Sequence, residues 1–362
     1  MSDFGIIVIG AGPAGSTCAA LTAATGKNVL LLEASRFPRD KVCGDCLNPA
    51  AWQVLKRLDV ADRVRELPCT YPRRVRFSVA GAGSAEIPLS VTQESSPELV
   101  VRRRDFDELL AKRAVESGVL VRDGTPVTNI KKMTTGWEVT TATGEIHRAK
   151  KIVAADGRNS VTARFLGLHP PLKKGGRIGI QIHIPHPEGY DGALEMRIYR
   201  HGYGGLADLG NGLANLCLVA NEGEMKELRK EAEGHYDLDP AGAWRSITPI
   251  TRARARSVAR DGVFLCGDAA QVVEPFTGEG ISFALRSGAL LADLLIDPDN
   301  NSQSLEKRYA DAHRRLYSKG LWVNRLTRLF SEYPRVAHAA APLLLRFPEL
   351  LSTLTSKVIA SL

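Results

Sequence analysis

At 362 residues, with 44% hydrophobic and 24% charged side chains, the chain has a soluble globular composition and exceeds the usual size of one core, which predicts two lobes sharing an interface. The balance of 48 basic to 40 acidic residues leaves +8, a mild excess suited to an anionic ligand or a membrane surface; without a nucleic-acid motif, no nucleic-acid partner is expected. No apolar run reaches the roughly 18 residues of a membrane span, and cysteines at 18, 43, 46, 69, 217 and 266 with no signal peptide ahead of them suggest a reduced, cytoplasmic protein.

The first thirty-three residues read as strand, turn, helix and strand: GIIVIG, GAGPAG, a helix of small residues, then NVLLLE. Gly10, Gly12 and Gly15 satisfy G-x-G-x-x-G directly after a strand and at a helix start. There Gly10 permits the tight turn, Gly12 lets a pyrophosphate approach the backbone, and Gly15 lets the helix pack closely. Glu33 ends the second strand, where a carboxylate accepts hydrogen bonds from ribose hydroxyls. These features together predict a bound dinucleotide.

Residues 36–58 form a polar loop leading into a helix. Cys43 and Cys46 make a C-x-x-C, but no second pair or histidine group completes a zinc site, so no metal is expected. Cys43 is read as a small residue lining a pocket rather than half of a working disulfide. Residues 73–100 alternate as strands, with Val75, Phe77 and Val79 on one face. VRRRDFDELLAKRAVESGV then reads as a helix with Phe106, Leu109, Leu110 and Ala114 inward. Arginines at a helix start oppose its dipole, which predicts an anionic partner for one of them. A hairpin around Thr143-Gly144 precedes KKIVAADGRNSVTARFLGL, an apolar strand ending at Asp156-Gly157.

Residues 177–250 read as strand-like, a second lobe with a hairpin at Asn211-Gly212. His183 and His186 lack a further ligand and are read as structural. His201, Tyr203 and Asp208 are pocket candidates, and no catalytic acid or base is assigned. Residues 263–288, VFLCGDAAQVVEPFTGEGISFALRSG, carry the most information. A strand runs into Gly267-Asp268, a turn with Pro275, then Gly278-Glu279-Gly280 opening a helix with Ile281, Ala284, Leu285, Gly288, Leu291, Ala292 and Leu295 on one face. Glycines before a helix N-terminus leave N–H groups for an electron-rich ring edge, and Asp268 is placed to accept from a sugar-like hydroxyl. From residue 303 the chain reads as helical, interrupted at Pro334, Pro342 and Pro348. Leu350, Leu351, Leu354 and Val358, with Arg346 and Lys357, continue an amphipathic face that either packs on the protein or touches a membrane such as the inner membrane.

Gly10 to Gly15 with Glu33, Asp156-Gly157 with Arg164, and Gly267-Asp268 through Pro275 to Gly280 resemble, in order and spacing, the FAD-dependent superfamily of aromatic hydroxylases, flavin halogenases and geranylgeranyl reductases. The resemblance covers roughly residues 4–295. It implies an α/β fold: a Rossmann-like FAD-binding domain (GR2-type) from residues 1–72, 101–170 and 251–300, an interleaved β-sheet substrate domain from 73–100 and 171–250, and a C-terminal helical region, 301–362. The implied cofactor residues are Gly10, Gly12, Pro13, Ala14, Gly15, Glu33, Ala34, Cys43, Gly44, Arg103, Val127, Asp156, Gly157, Gly267, Asp268, Pro275, Gly278, Gly280 and Ile281. Asp268 falls on the ribityl and pyrophosphate ligand, Gly280 and Ile281 on backbone contacts to the flavin, and Arg103 on an R-x-x-F-D arginine that approaches the cofactor.

PRDKVCG and EPFTGEGISFALRSG look most like the geranylgeranyl reductase branch, whereas GYGGLAD lacks the Trp and Pro of that branch's G-Y-x-W-x-F-P. Gln271 and Ile281-Ser282 depart from the aromatic hydroxylases, Ser160 to Arg164 is one residue longer than S-x-x-R, and the halogenase W-x-W-x-I-P is absent. The first expectation is a monooxygenase acting through a flavin hydroperoxide on a hydrophobic phenolic or polyketide-like metabolite. The alternatives are a reductase of C=C bonds in a prenyl or polyene lipid and a non-catalytic flavin-binding protein. With no second dinucleotide motif, NAD(P)H is expected as a transient donor.

Overall fold

Strand pairing sorts the chain into two large sheets and one small one. The computed structural model describes residues 3–89, 97–171, 176–239, 241–250, 254–298, 302–318 and 338–339. Five parallel strands, in spatial order Val263–Leu265, Ile146–Ala154, Phe4–Ile9, Val29–Leu32 and Leu120–Arg122, centre the first sheet. Both faces of the central strands are covered, which is why Phe4–Ile9, Val29–Leu32 and Val263–Leu265 are continuous apolar runs, whereas Ile146–Ala154 is continuously buried only at its end and Leu120–Arg122 is an exposed edge. Ile6, Val8, Leu31 and Val153 join the cluster with helices Pro13–Ala23, Arg103–Glu116 and Gly280–Ile296. Ile7, Ile9, Leu30, Leu32 and Ile152 meet Ile130, Trp137 and Val139 on the other face. Those three come from the hairpin Val127–Lys132 and Trp137–Thr141, paired antiparallel to Ile146–Ala154. The turn expected at Thr143-Gly144 is present, with Gly144 at φ 83°. The inward positions of helix Arg103–Glu116 are buried as read.

The second sheet runs Arg245–Ile247, Arg177–Pro185, Leu213–Asn221, Tyr203–Gly210, Leu194–Ile198, Arg74–Val79, Gly83–Pro88. Asn211 and Gly212 turn its hairpin with φ 55° and 75°, the left-handed pair that two-residue hairpins favour. The strand-like reading of residues 177–250 fails at Met225–Tyr236, a helix that covers this sheet with Leu228 and Ala232 against the cluster of Tyr199, Leu216 and Leu218. Its strong helix formers are mostly polar and only two positions are buried, so an apolar-pattern reading found no period there. Residues 99–101 also leave the second sheet. Leu99–Val101 pairs instead with Cys46–Leu47 and Cys69–Thr70 in the small sheet between the two larger ones.

Helix Ser302–Ser318 packs back on the long helix, Tyr317 stacking on Phe283 at 4.7 Å, while the Tyr309 hydroxyl donates to the Leu265 carbonyl at 2.6 Å. Pro334, Pro342, Pro348 and the apolar face of Leu350, Leu351, Leu354 and Val358 lie outside the described residues. Among the described residues no helix is long and apolar enough to cross a membrane.

Candidate cofactor and active site

The predicted glycines divide into two physical roles. A Cβ on Gly15 would sit 1.9 Å from the Gly10 carbonyl oxygen, and one on Gly10, at φ 99°, 2.5 Å from that of Ala155. Gly288, on the long helix, repeats the pattern: its Cβ would meet the Ala14 carbonyl oxygen at 2.3 Å. These three let backbones touch. Gly12 is different, with nothing nearer than the Arg39 guanidinium at 3.9 Å. It caps helix Pro13–Ala23 without a side-chain hydrogen bond, so its partial positive end opens into space.

That space is a cavity of about 340 Å³ between the two large sheets. It is lined by Gly12, Pro13 and Ala14, Cys43 and Gly44, Arg103, Gly157, Gly267 and Asp268, and Pro275, Gly278, Gly280 and Ile281. Elements as far apart in the chain as Gly12 and Ile281 thus share one wall, as their motifs predict. Gly10, Gly15, Glu33, Ala34, Val127 and Asp156 do not line it. Glu33 is buried at its strand end and accepts from the Ala11 amide at 2.8 Å and the Ser35 amide at 3.1 Å. Ala34 is exposed beside it, and Val127 starts the hairpin strand packed on Ile7 and Leu30's cluster. Asp156 accepts from the Thr162 amide and hydroxyl, both at 3.0 Å, holding the start of helix Val161–Phe165. Burial pushes its carboxyl upward.

One arginine of the three at the helix start does face an anion, but the anion is internal. Arg103 forks onto Asp107, Nε to Oδ1 and Nη2 to Oδ2, both at 2.8 Å, and Arg39 reaches the same carboxylate at 2.9 Å. Burial opposes ionisation of Asp107, yet Arg103, Arg39 and Lys41 hold its carboxyl below the ordinary range. Arg158 lies 3.3 Å from Asp268 and donates to the Ile250 carbonyl at 3.0 Å. Arg39, close to the open helix end, with Arg103 and Arg158 on the cavity wall, brings guanidinium groups that Asp107 and Asp268 hold in place, a setting that suits a diphosphate, while burial lowers the pKa of the nearby Lys41 ammonium. The i, i+4 spacing of Arg103 and Asp107 was the available signal for their pair.

Sequence reading missed two buried networks. Asp45, at φ 58°, accepts from the Arg103 amide at 3.2 Å and from Asn215 Nδ2 at 2.8 Å; burial pushes its carboxyl up to about 7. Arg177 grips Glu274 with contacts of 2.8 and 3.0 Å, and the Tyr203 hydroxyl donates to Glu274 at 3.0 Å. This ties the second sheet to the turn Pro275–Thr277, and Tyr203 packs edge-on against Phe276 at 5.1 Å. Of the other pocket candidates, His201 pairs with Glu231 and Asp208 with His186, and neither His201 nor Asp208 lines the cavity. The cysteines are free; burial pushes the Cys46 and Cys217 thiols well above their ordinary range, which keeps them protonated and poorly nucleophilic.

The chain matches the FAD binding domain family over residues 3–187 and 219–319. It is 29% identical to the menaquinone reductase of Mycolicibacterium smegmatis, covering 99% of this chain and 91% of that one. It is 27% identical to digeranylgeranylglycerophospholipid reductase 2 of Methanopyrus kandleri, over 91% and 87%. The solved flavin-dependent brominase Bmp2 shares the fold with a TM-score of 0.79 at 20% identity, over 98% of this chain and 93% of that one. The chain belongs to the FAD binding domain family and is an FAD-dependent oxidoreductase, with a fold shared by a flavin-dependent halogenase.

Proposed function

We propose that the chain is an FAD-dependent reductase that saturates a carbon–carbon double bond in a polyprenyl lipid. The observation that carries this reading is the division of the cavity wall. Its charged residues, Lys41, Glu98, Arg103, Arg158 and Asp268, all come from segments outside the second sheet. The sheet side presents Val75, Phe77, Ile87, Leu89, Ile180, Leu194, Met196, Leu218 and Val219, with small Gly179, Gly205 and Ala207 leaving room among them. A greasy chain gains by desolvation there, whereas a phenol would find no base on that wall to draw off its proton. The names of both relatives carry polyprenyl lipids, which supports the same substrate class. GYGGLAD, whose missing Trp favoured hydroxylation in the sequence, contributes Tyr203, Gly205 and Ala207 to the cavity wall.

Bound FAD supplies the two-electron chemistry, and we assign NAD(P)H as its transient donor. Gly12, Pro13 and Ala14 with the surrounding arginines would hold the diphosphate, and Asp268 the ribityl chain. Glu33, fixed by two amides, would take the ribose, and Gly280 and Ile281 would meet the ring edge. The apolar wall would exclude water and orient the double bond over the ring. The test is anaerobic incubation of pre-reduced holoenzyme with detergent-solubilised polyprenyl lipids, followed by mass spectrometry. Gain of two hydrogens supports the reading; incorporation of one oxygen atom in air, with no saturation, would establish the hydroxylase instead.

A further inference from the structure

Saturation of an alkene needs hydride at one carbon and a proton at its neighbour, and the protein must hold that proton. Two polar hydrogens on the sheet side are already engaged: the Tyr203 hydroxyl by Glu274 and the Cys217 thiol by the Cys43 carbonyl at 3.2 Å. Lys41, Arg103, Arg158 and Asp268 gather around Gly157 and Gly267. Glu98 lines the cavity elsewhere, beside Cys46 and the entrance of helix Gly280–Ile296. Gly278 adjoins the same place, its Cβ position lying 3.9 Å from that of Cys46. The backbone at Glu98 is anchored on both sides: Trp52 Nε1 donates to the Pro97 carbonyl at 2.7 Å, and Leu99, Val100 and Val101 are buried.

We propose that Glu98 is the proton donor of this site, placing its carboxyl proton on the alkene carbon next to the one that receives hydride; the assignment rests on the reductase reading. The π pair of the alkene takes the Glu98 proton, and the carboxylate left behind is reprotonated from water. Bound FAD, recharged by a nicotinamide donor, would supply the hydride and its two electrons. Burial, reinforced by the nearby Glu279 carboxylate, pushes Glu98 up to about 8, so it carries its proton at neutral pH. Among the described residues, the titratable groups facing it are Glu279 from the helix entrance and Cys46 from the small sheet, and burial holds Cys46 protonated.

The isosteric Glu98→Gln keeps the shape and removes the proton. In FAD-free protein labelled at glutamate carboxyl carbons, one NMR resonance should titrate near 8 and be missing from the variant. In single-turnover alkene reduction by pre-reduced holoenzyme, the variant should be slower by about 10²–10⁴-fold. The wild-type rate should fall above pH 8 and the variant's should not, while FAD affinity stays the same. A Glu98 resonance titrating near the ordinary 4.5 overturns the assignment. Equal alkene reduction by both proteins overturns the role of Glu98 alone, and a wild type that reduces no alkene overturns the reductase reading and Glu98 with it.

Discussion

The Arg177–Glu274 pair joins the second sheet to the turn before helix Gly280–Ile296, and Arg177→Met measures what that junction is worth. Both side chains are almost covered, at 6% and 3% exposure, and two contacts of 2.8 and 3.0 Å are lost together. An exposed pair would contribute about 0–1 kcal/mol. Breaking a buried pair by removing one member costs up to about 3–5 kcal/mol, because the remaining charge loses its principal counter-charge away from solvent. The Tyr203 hydroxyl compensates only in part, because it already donates to Glu274 in the intact protein. Guanidinium unfolding of the FAD-free protein, followed by near-ultraviolet circular dichroism, reads the loss directly. The double variant Arg177→Met with Glu274→Leu should recover much of it, since an apolar pair of similar volume removes the stranded charge. A single-variant loss below about 1 kcal/mol, or a double variant no better than the single, would refute the reasoning.

Gly15→Ala and Gly12→Ala should separate packing from ligand approach. The first forces a methyl against the Gly10 carbonyl and should cost about 1–3 kcal/mol of stability; the second meets no close atom and should leave unfolding unchanged while weakening FAD in equilibrium dialysis. Asp268→Ala should weaken FAD retention on gel filtration, and normal retention would remove Asp268 from the site. Asp45 tests pH linkage. Its carboxyl rises from 3.8 to about 7 on folding, so the folded state holds the extra proton and this group's contribution falls as pH climbs through that window. Asp45→Asn tolerates the same left-handed backbone and should gain stability relative to wild type between those pH values, as read from paired denaturation curves; a constant difference would contradict the shift.

The parts of the site made by backbone geometry were legible, because close approach, left-handed turns and open helix ends each demand glycine at defined spacing. Gly12, Gly15 and Gly278 were placed on that ground, whereas Gly267 came through the family resemblance. Side-chain partners were less legible. Glu274 is 97 residues from Arg177, and Asp45 is 170 from Asn215; no local period links such pairs, and only the fold brings them together. Glu98 left no signal because its chemistry comes from burial and from Glu279, both tertiary facts. The missed helix Met225–Tyr236 shows the converse limit, where two buried positions were too few to register as an apolar face.

The backbone contact between Ala14 and Gly288, and the pairing of Val263–Leu265 with Ile146–Ala154, have a consequence for biosynthesis. The glycine-rich turn leaves the ribosome early, yet the strand and helix that complete its sheet and seal its far side are among the later residues made. Until they emerge, Ile6, Val8 and Val153 keep an unfinished apolar face in the crowded cell, a long-range closure of the kind that folds slowly and draws chaperones. Flavin loading therefore waits until the segment from Val263 to Gly288 has emerged, and premature termination before residue 263 leaves a polypeptide that owns the first cofactor motif but cannot assemble the pocket.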